Sequence, residues 1–246
     1  MARYTDKIVL EGRNMVHDAL NSKQKIEVVM ISSATLKDPK IKELEILAKK
    51  KGAKIQMVKP EDLLNFAETK NPQGVVALME KPENPSLEEI LKNKRNAFIL
   101  LLNKIDYEQN MGAILRSAWA AGVDAVVASP NGVHEINTVV AKISMGAAAY
   151  VPLIGMSLFQ AIKIIHEYAV PLVGIEVNKG ESIYKTNLRG PVALLMGGEE
   201  VGITEPLEKE CDLMANIPMN HEVASLNVSV ATALVIFEKR RQEKVV

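Results

Sequence analysis

The feature that most constrains the fold is a rhythm running through residues 96–246. Short, wholly apolar runs lie at Ala97–Leu102, Ala125–Ala128, Pro171–Ile175, Val192–Met196 and Leu213–Ile217. Between them come helix-like stretches around Met111–Ala121, Glu135–Ser144 and Ser157–Tyr168. A strand that is apolar on both sides has no face to offer to water. Such strands, alternating with helices, predict an α/β fold: a parallel sheet covered on both faces. The chain closes with a helix over Asn227–Arg241, whose Val228, Ala231, Leu234, Val235 and Phe237 are expected to face the core. Its basic last turn complements the helix dipole.

Residues 1–80 have a different texture and read as a small α/β domain of their own. Met15, Val16 and Leu20 have helical spacing, and Ile26–Ile31 is a β-branched strand. A second amphipathic helix carries Ile41, Leu44, Ile46 and Leu47 and ends at Gly52, before a strand at Ala53–Val58. The turn Asn71-Pro72-Gln73-Gly74 leads into a strand at Val75–Met79. Residues 81–95 are expected to link the two domains, beginning in a polar stretch with two prolines and holding a short helix at Leu87–Lys92.

Charge and composition narrow the function. The 30 basic and 30 acidic residues balance overall, but residues 1–95 carry 18 and 14, and the remainder 12 and 16. A basic appendage on an acidic body suits a polyanionic partner, although a solvated helix face at Lys49-Lys50-Lys51 explains the same count. No apolar run approaches the ~20 residues of a membrane span. The first residues lack the apolar stretch of a secretory signal, and the single cysteine, Cys211, suits a reducing cytoplasm. There is no P-loop, no Gly-x-Gly triplet, no Gly-x-Ser-x-Gly elbow and no metal-ligand spacing among the four histidines. Nucleotide hydrolysis, hydride transfer and zinc chemistry are therefore not expected, and no metal site is assigned.

Three segments remain. In Asn110-Met111-Gly112-Ala113-Ile114-Leu115-Arg116, Asn110 has the character of a helix N-cap, and Arg116, in the second turn, suits a bidentate phosphate grip. Leu195-Met196-Gly197-Gly198-Glu199-Glu200-Val201-Gly202 follows an apolar strand, the place where open α/β sheets bind ligands. Its Gly197-Gly198 pair is expected to expose backbone hydrogen-bonding groups beside the carboxylate of Glu199. Ile217-Pro218-Met219, then Ser225-Leu226-Asn227-Val228, precedes the last helix, with Ser225 and Asn227 as candidate caps.

Together these segments resemble the SpoU (TrmH-like) family of RNA ribose methyltransferases in the SPOUT superfamily. Three motifs occur in order: N-x-G-A-I-x-R, L-x-M-G-x-E-x-x-G, and I-P-M followed by S-L-N-V-S-V-A. The first domain resembles, more loosely, the ribosomal-protein-like RNA-binding domain of many members, through Glu11-Gly12-Arg13-Asn14-Met15-Val16 and Asn71-Pro72-Gln73-Gly74-Val75. In one departure, Tyr107-Glu108 stands where the family usually has Asp-Pro, which would loosen the entry to the first motif.

The resemblance implies a C-terminal trefoil knot, a homodimer, a cytoplasmic location and S-adenosylmethionine as cofactor. The cofactor would sit against Met196, Gly197, Gly198, Ile217 and Leu226, while Asn110, Arg116, Glu199, Ser225 and Asn227 would form the catalytic and RNA-facing set. The implied reaction is methylation of a ribose 2′-hydroxyl in structured RNA, a guanosine of large-subunit ribosomal RNA before a transfer RNA. A non-catalytic RNA-binding or ribosome-assembly factor of the same fold is the alternative from another class.

Overall fold

A computed structural model describes residues 7–22, 24–67, 69–80, 84–198 and 202–243. Its elements in chain order are β1 (Lys7–Glu11), α1 (Arg13–Asn21), β2 (Ile26–Ser32), α2 (Pro39–Lys51), β3 (Lys54–Val58), α3 (Pro60–Leu64) and β4 (Val75–Glu80). There follow α4 (Leu87–Asn93), β5 (Phe98–Leu102), α5 (Glu108–Ala121), β6 (Ala125–Ala128), α6 (Thr138–Ile143), β7 (Leu153–Gly155) and α7 (Leu158–Glu167). The last are β8 (Leu172–Ile175), β9 (Glu181–Ser182), β10 (Val192–Met196), α8 (Glu205–Glu208), β11 (Leu213–Asn216) and α9 (Val228–Gln242).

The chain divides into two compact units. One gathers the described residues up to 80 around a four-stranded sheet of order β1-β4-β2-β3, in which only β2 and β3 run parallel. Met30, Leu63, Val76 and Leu78 form one of its apolar clusters. Gly52, at φ 78°, ends α2 in the left-handed conformation that glycine adopts freely. The two sequence echoes of an RNA-binding domain meet here. Arg13 donates through Nε to the Gln73 carbonyl at 3.2 Å and pairs with Asp38 at 2.7 Å. This unit also takes in Ile136–Tyr150. The helix expected at Glu135–Ser144 is thus shorter, starting after the Asn137 cap, and packs on β1 rather than on the second sheet.

The other unit is the predicted parallel sheet, seven strands in the order β7-β6-β5-β10-β8-β11-β9, every pairing parallel. Its central strands are apolar because both faces are covered. Ile99, Leu101, Ala125, Val127, Ala193 and Leu195 share a core with Ala161, Ile162 and Ile165 of α7. The stretch expected as a linker carries α4, held by a Ser86–Glu89 capping box, and its Leu87, Ile90 and Leu91 join this core.

Three expectations need correction. α5 begins at Glu108 with Tyr107 in the cap position, so Asn110 is its third residue, not its N-cap, and Arg116 stands in the third turn. Glu108 takes the first helical position despite the missing Asp-Pro, its carboxylate suiting the positive end of the helix dipole. Ser225 does not cap α9; Asn227 does, its Oδ1 accepting from the Ser229 and Val230 amides. Finally, Leu234 and Phe237 turn outward. Helix α9 buries a stripe at helical spacing through Val228, Thr232, Val235 and Lys239 and turns a second, apolar one outward.

Candidate active site

Strands β10, β8 and β11 are neighbours in the sheet and end at Met196, Ile175 and Asn216. The loops leaving these carboxyl ends surround a cavity of about 660 Å³. Its size falls within the few hundred to about 1,000 Å³ typical of small-molecule sites, and its position follows the rule for open α/β sheets. Met196, Gly197, Gly198, Ile217, Leu226, Ser225 and Asn227, drawn from two sequence motifs, all line it. Apolar walls come from Ile175, Ile203 and Met219, and polar groups from Glu176, Lys179, Ser225 and Asn227.

The glycines are required by close backbone approach. A Cβ on Gly197 would lie 2.7 Å from the Gly202 backbone, and one on Gly198 would lie 2.7 Å from the Asn103 carbonyl oxygen. The Gly198 amide donates to the Gly202 carbonyl at 3.0 Å, and the Gly198 carbonyl accepts from the Gly202 amide at 3.1 Å. Gly198 therefore does not offer a free amide as expected; that donor is already engaged in closing its own loop. Asn103 adds a side-chain donor to the same Gly202 carbonyl at 3.0 Å.

The carboxylate of Glu176 fastens this loop to the one after β8. Its Oε2 accepts from the Ile203 amide at 2.7 Å and its Oε1 from the Val177 amide at 2.9 Å. Lys179 is hydrogen-bonded to Glu208, which raises its pKa and keeps it an ammonium. Residue-type reasoning passed over Glu176, Lys179 and Asn103. Glu176 did carry a signal, being a carboxylate directly after the buried strand Leu172–Ile175.

Beside the cavity, Asn227 Nδ2 donates to Asn110 Oδ1 at 3.1 Å, joining the first and third motifs. Arg116 lies six residues beyond Asn110 on α5, about 9 Å along the helix axis. It is exposed and makes no ion pair among the described residues. It does not line the cavity, and Ser225, which does, is exposed. Glu199 lies outside the described residues.

Apolar walls, a few convergent polar groups and glycine-tight loops fit a nucleoside-type ligand such as S-adenosylmethionine. Among the described residues no cluster of His, Cys, Asp and Glu could hold a metal, and no helix is long and apolar enough to cross a membrane.

Comparison with known proteins extends this picture. Residues 97–237 match the model of the SpoU rRNA methylase family, and residues 9–85 that of an RNA 2′-O ribose methyltransferase substrate-binding domain. The chain is 34% identical over 239 residues to the 23S rRNA (guanosine-2′-O-)-methyltransferase RlmB of Xanthomonas axonopodis pv. citri, covering 94% of this chain and 95% of that one. It is 36% identical over 196 residues to RlmB of Photorhabdus laumondii, covering 78% and 80%. The SpoU methyltransferase AviRb of Streptomyces viridochromogenes, solved with AdoMet, superposes with a TM-score of 0.84 at 20% identity, over 96% of this chain and 90% of that chain.

Proposed function

The chain belongs to the SpoU rRNA methylase family, and on that premise we propose that it methylates the ribose 2′-hydroxyl of a guanosine in large-subunit ribosomal RNA. S-adenosylmethionine is the cofactor, and when bound it supplies the electrophilic methyl group. The observation that carries this reading is the Asn227–Asn110 bond, which brings two motifs together at the rim of the cavity.

Met196, Gly197, Gly198, Ile217 and Leu226 form the wall that holds the cofactor. Arg116 is assigned to the RNA. A guanidinium stays protonated in proteins, so it is no free base; it grips a phosphate and stabilises negative charge on the attacking hydroxyl oxygen. Asn110 and Asn227 orient that part of α5, Ser225 contributes at the rim, and Glu199 belongs to the same set. Alignment of the reactants supplies much of the rate, since well-placed groups save roughly 7–11 kcal/mol of barrier.

The finer architecture follows the family. Residues 1–80 form the ribosomal-protein-like domain that recognises RNA, with Arg13 and Gln73 in its loop cluster, and residues 96–246, apart from the strip Ile136–Tyr150 that joins the first unit, the methyltransferase domain. The C-terminal segment threads a trefoil knot. The second stripe of α9 supports a homodimer: Val230, Leu234 and Phe237 are 50%, 40% and 46% exposed and lie with Tyr184 along one shallow depression. Action on an RNA of the ribosome supports a cytoplasmic location.

Mapping ribose methylation in 23S ribosomal RNA from cells lacking the protein tests the proposal. One 2′-O-methylguanosine should vanish and return with the wild-type gene but not with Arg116→Ala. An unchanged ribosomal pattern with a lost transfer-RNA mark would move the target; no change in either RNA would favour the assembly factor.

A further inference from the structure

Glu176 is the only acidic side chain among the described residues that line the cavity. It follows β8 directly, and β8 lies between β10 and β11, whose loops form the other walls. Each of its two carboxylate oxygens accepts one backbone amide, from Ile203 at 2.7 Å and from Val177 at 2.9 Å. An ionised carboxylate has about four acceptor sites, so each oxygen keeps one. The group is fixed in place and still able to accept two more hydrogen bonds. Gly202, at φ 67°, is pressed so close that a Cβ would lie 2.5 Å from Glu176 Oε2. That leaves one carboxylate edge wedged into the loop.

Among neutral ligand groups, a vicinal diol matches such an acceptor pair, because its two hydroxyls donate side by side. In dinucleotide-binding folds a carboxylate at the end of a strand takes a ribose hydroxyl for the same reason. The amides that hold Glu176 also remove its freedom to turn away, so little order is lost when a ligand arrives. Lys179, the other charged residue among the described ones lining the cavity, gives its hydrogen bond to Glu208 and acts on Glu176 through its charge.

We propose that Glu176 is the specificity-determining residue for the ribose of the bound nucleoside, accepting hydrogen bonds from its 2′- and 3′-hydroxyls. This rests on the reading of the cavity as the S-adenosylmethionine site.

The test is calorimetric titration of the full-length protein with S-adenosylhomocysteine and with its 2′-deoxy and 3′-deoxy analogues. Wild type should bind at least one deoxy analogue tenfold or more weakly than the ribose ligand. In Glu176→Gln that ratio should fall to within about twofold, the ribose ligand having lost affinity and that analogue little. Equal loss for all ligands in Glu176→Gln would make the residue a loop brace only and overturn the proposal. Equal affinity of the wild type for ribose and deoxy ligands would overturn it without any variant, so a misfolded Glu176→Gln leaves it testable. Glu176→Asp, which keeps the charge but pulls the oxygens back, should give an intermediate ratio. Failure of wild type to bind S-adenosylmethionine at all would instead remove the function proposed above, and this inference with it.

Discussion

The side-chain amide of Asn227 donates to the side-chain oxygen of Asn110 across 117 positions of sequence, at 3.1 Å. Asn227 spends its own oxygen on the amides of Ser229 and Val230, so one side chain starts α9 and holds α5. The two tasks separate by substitution. Asn227→Asp keeps the capping oxygen and loses the donor; it should stay within about 0.5 kcal/mol of wild-type stability, as a near-equivalent cap. Its methyl transfer should fall tenfold or more. Asn227→Ala should lose activity and also about 1 kcal/mol of stability. Thermal melts beside turnover assays check both.

Arg116 should separate chemistry from cofactor affinity. It is exposed and unpaired among the described residues, so Arg116→Ala should change stability by less than about 0.5 kcal/mol. Turnover should drop by at least about a hundredfold, the usual scale for losing a group that stabilises developing charge. Arg116→Lys, lacking the planar fork, should recover little. Titration with S-adenosylmethionine should give a dissociation constant within twofold of wild type; a parallel loss of cofactor binding would refute the RNA-side role.

Gly202→Ala should damage the site from its backbone. Its φ of 67° is costly for alanine, and the new Cβ would meet Glu176 Oε2 at 2.5 Å. We expect a destabilisation of about 1–3 kcal/mol and cofactor affinity reduced more than tenfold. Denaturant melts and calorimetry test the two effects. Gly190, at φ 77° with nothing within 4 Å of a built Cβ, serves as the control: Gly190→Ala pays the backbone strain but should bind cofactor normally.

Lys239 is 1% exposed, donates to the Gly190 carbonyl at 2.8 Å, pairs with Glu243 and lies 5.3 Å from the centre of the Phe98 ring. Lys239→Met keeps the apolar stem but leaves that carbonyl without its donor. It should cost about 1–3 kcal/mol, read from urea melts, and leave cofactor binding unchanged.

Cys211 should be a slow thiol. Burial, helped by the nearby carboxylates of Asp212, Glu208 and Glu210, pushes its pKa up to about 11. Between about pH 9, where an unfolded thiol ionises, and about pH 11, the folded state holds the proton more tightly. Its contribution to stability is therefore complete below about pH 9 and is lost as the pH rises through that window. Alkylation by iodoacetamide at pH 8 should be much slower in the folded protein than in urea.

The extent to which the sequence disclosed this fold depended on burial. Val192–Met196 and Ala125–Ala128 are strands at their expected bounds because strands buried on both faces must be apolar throughout. The two-residue β9, Glu181–Ser182, shows no such pattern; it exists because Ala215 and Asn216 pair with it. Asn110 misled by residue type: asparagine favours caps, yet its partner lies at the far end of the chain, where no local rule reaches. Leu234 and Phe237 misled differently. Both stripes of α9 have helical spacing, and only packing decides which one this chain covers itself. Gly198 was legible because it follows a buried strand, whereas Ile217 and Leu226 were legible only through the family resemblance. Glu176 was not, since its role is defined by backbone amides that only the folded loops bring to it.

The presence of Ile136–Tyr150 in the first unit has a consequence for biosynthesis. An amino-terminal unit ordinarily completes itself on the ribosome while later residues are still being made. Here the strip bearing α6 that packs on β1 is encoded after β5 and β6 of the other unit. Until about 150 residues have cleared the exit tunnel, the nascent first sheet must wait with that side uncovered. A pause in translation before residue 136 should therefore leave it open to chaperones and proteases, whereas a pause once residue 150 has left the tunnel should not.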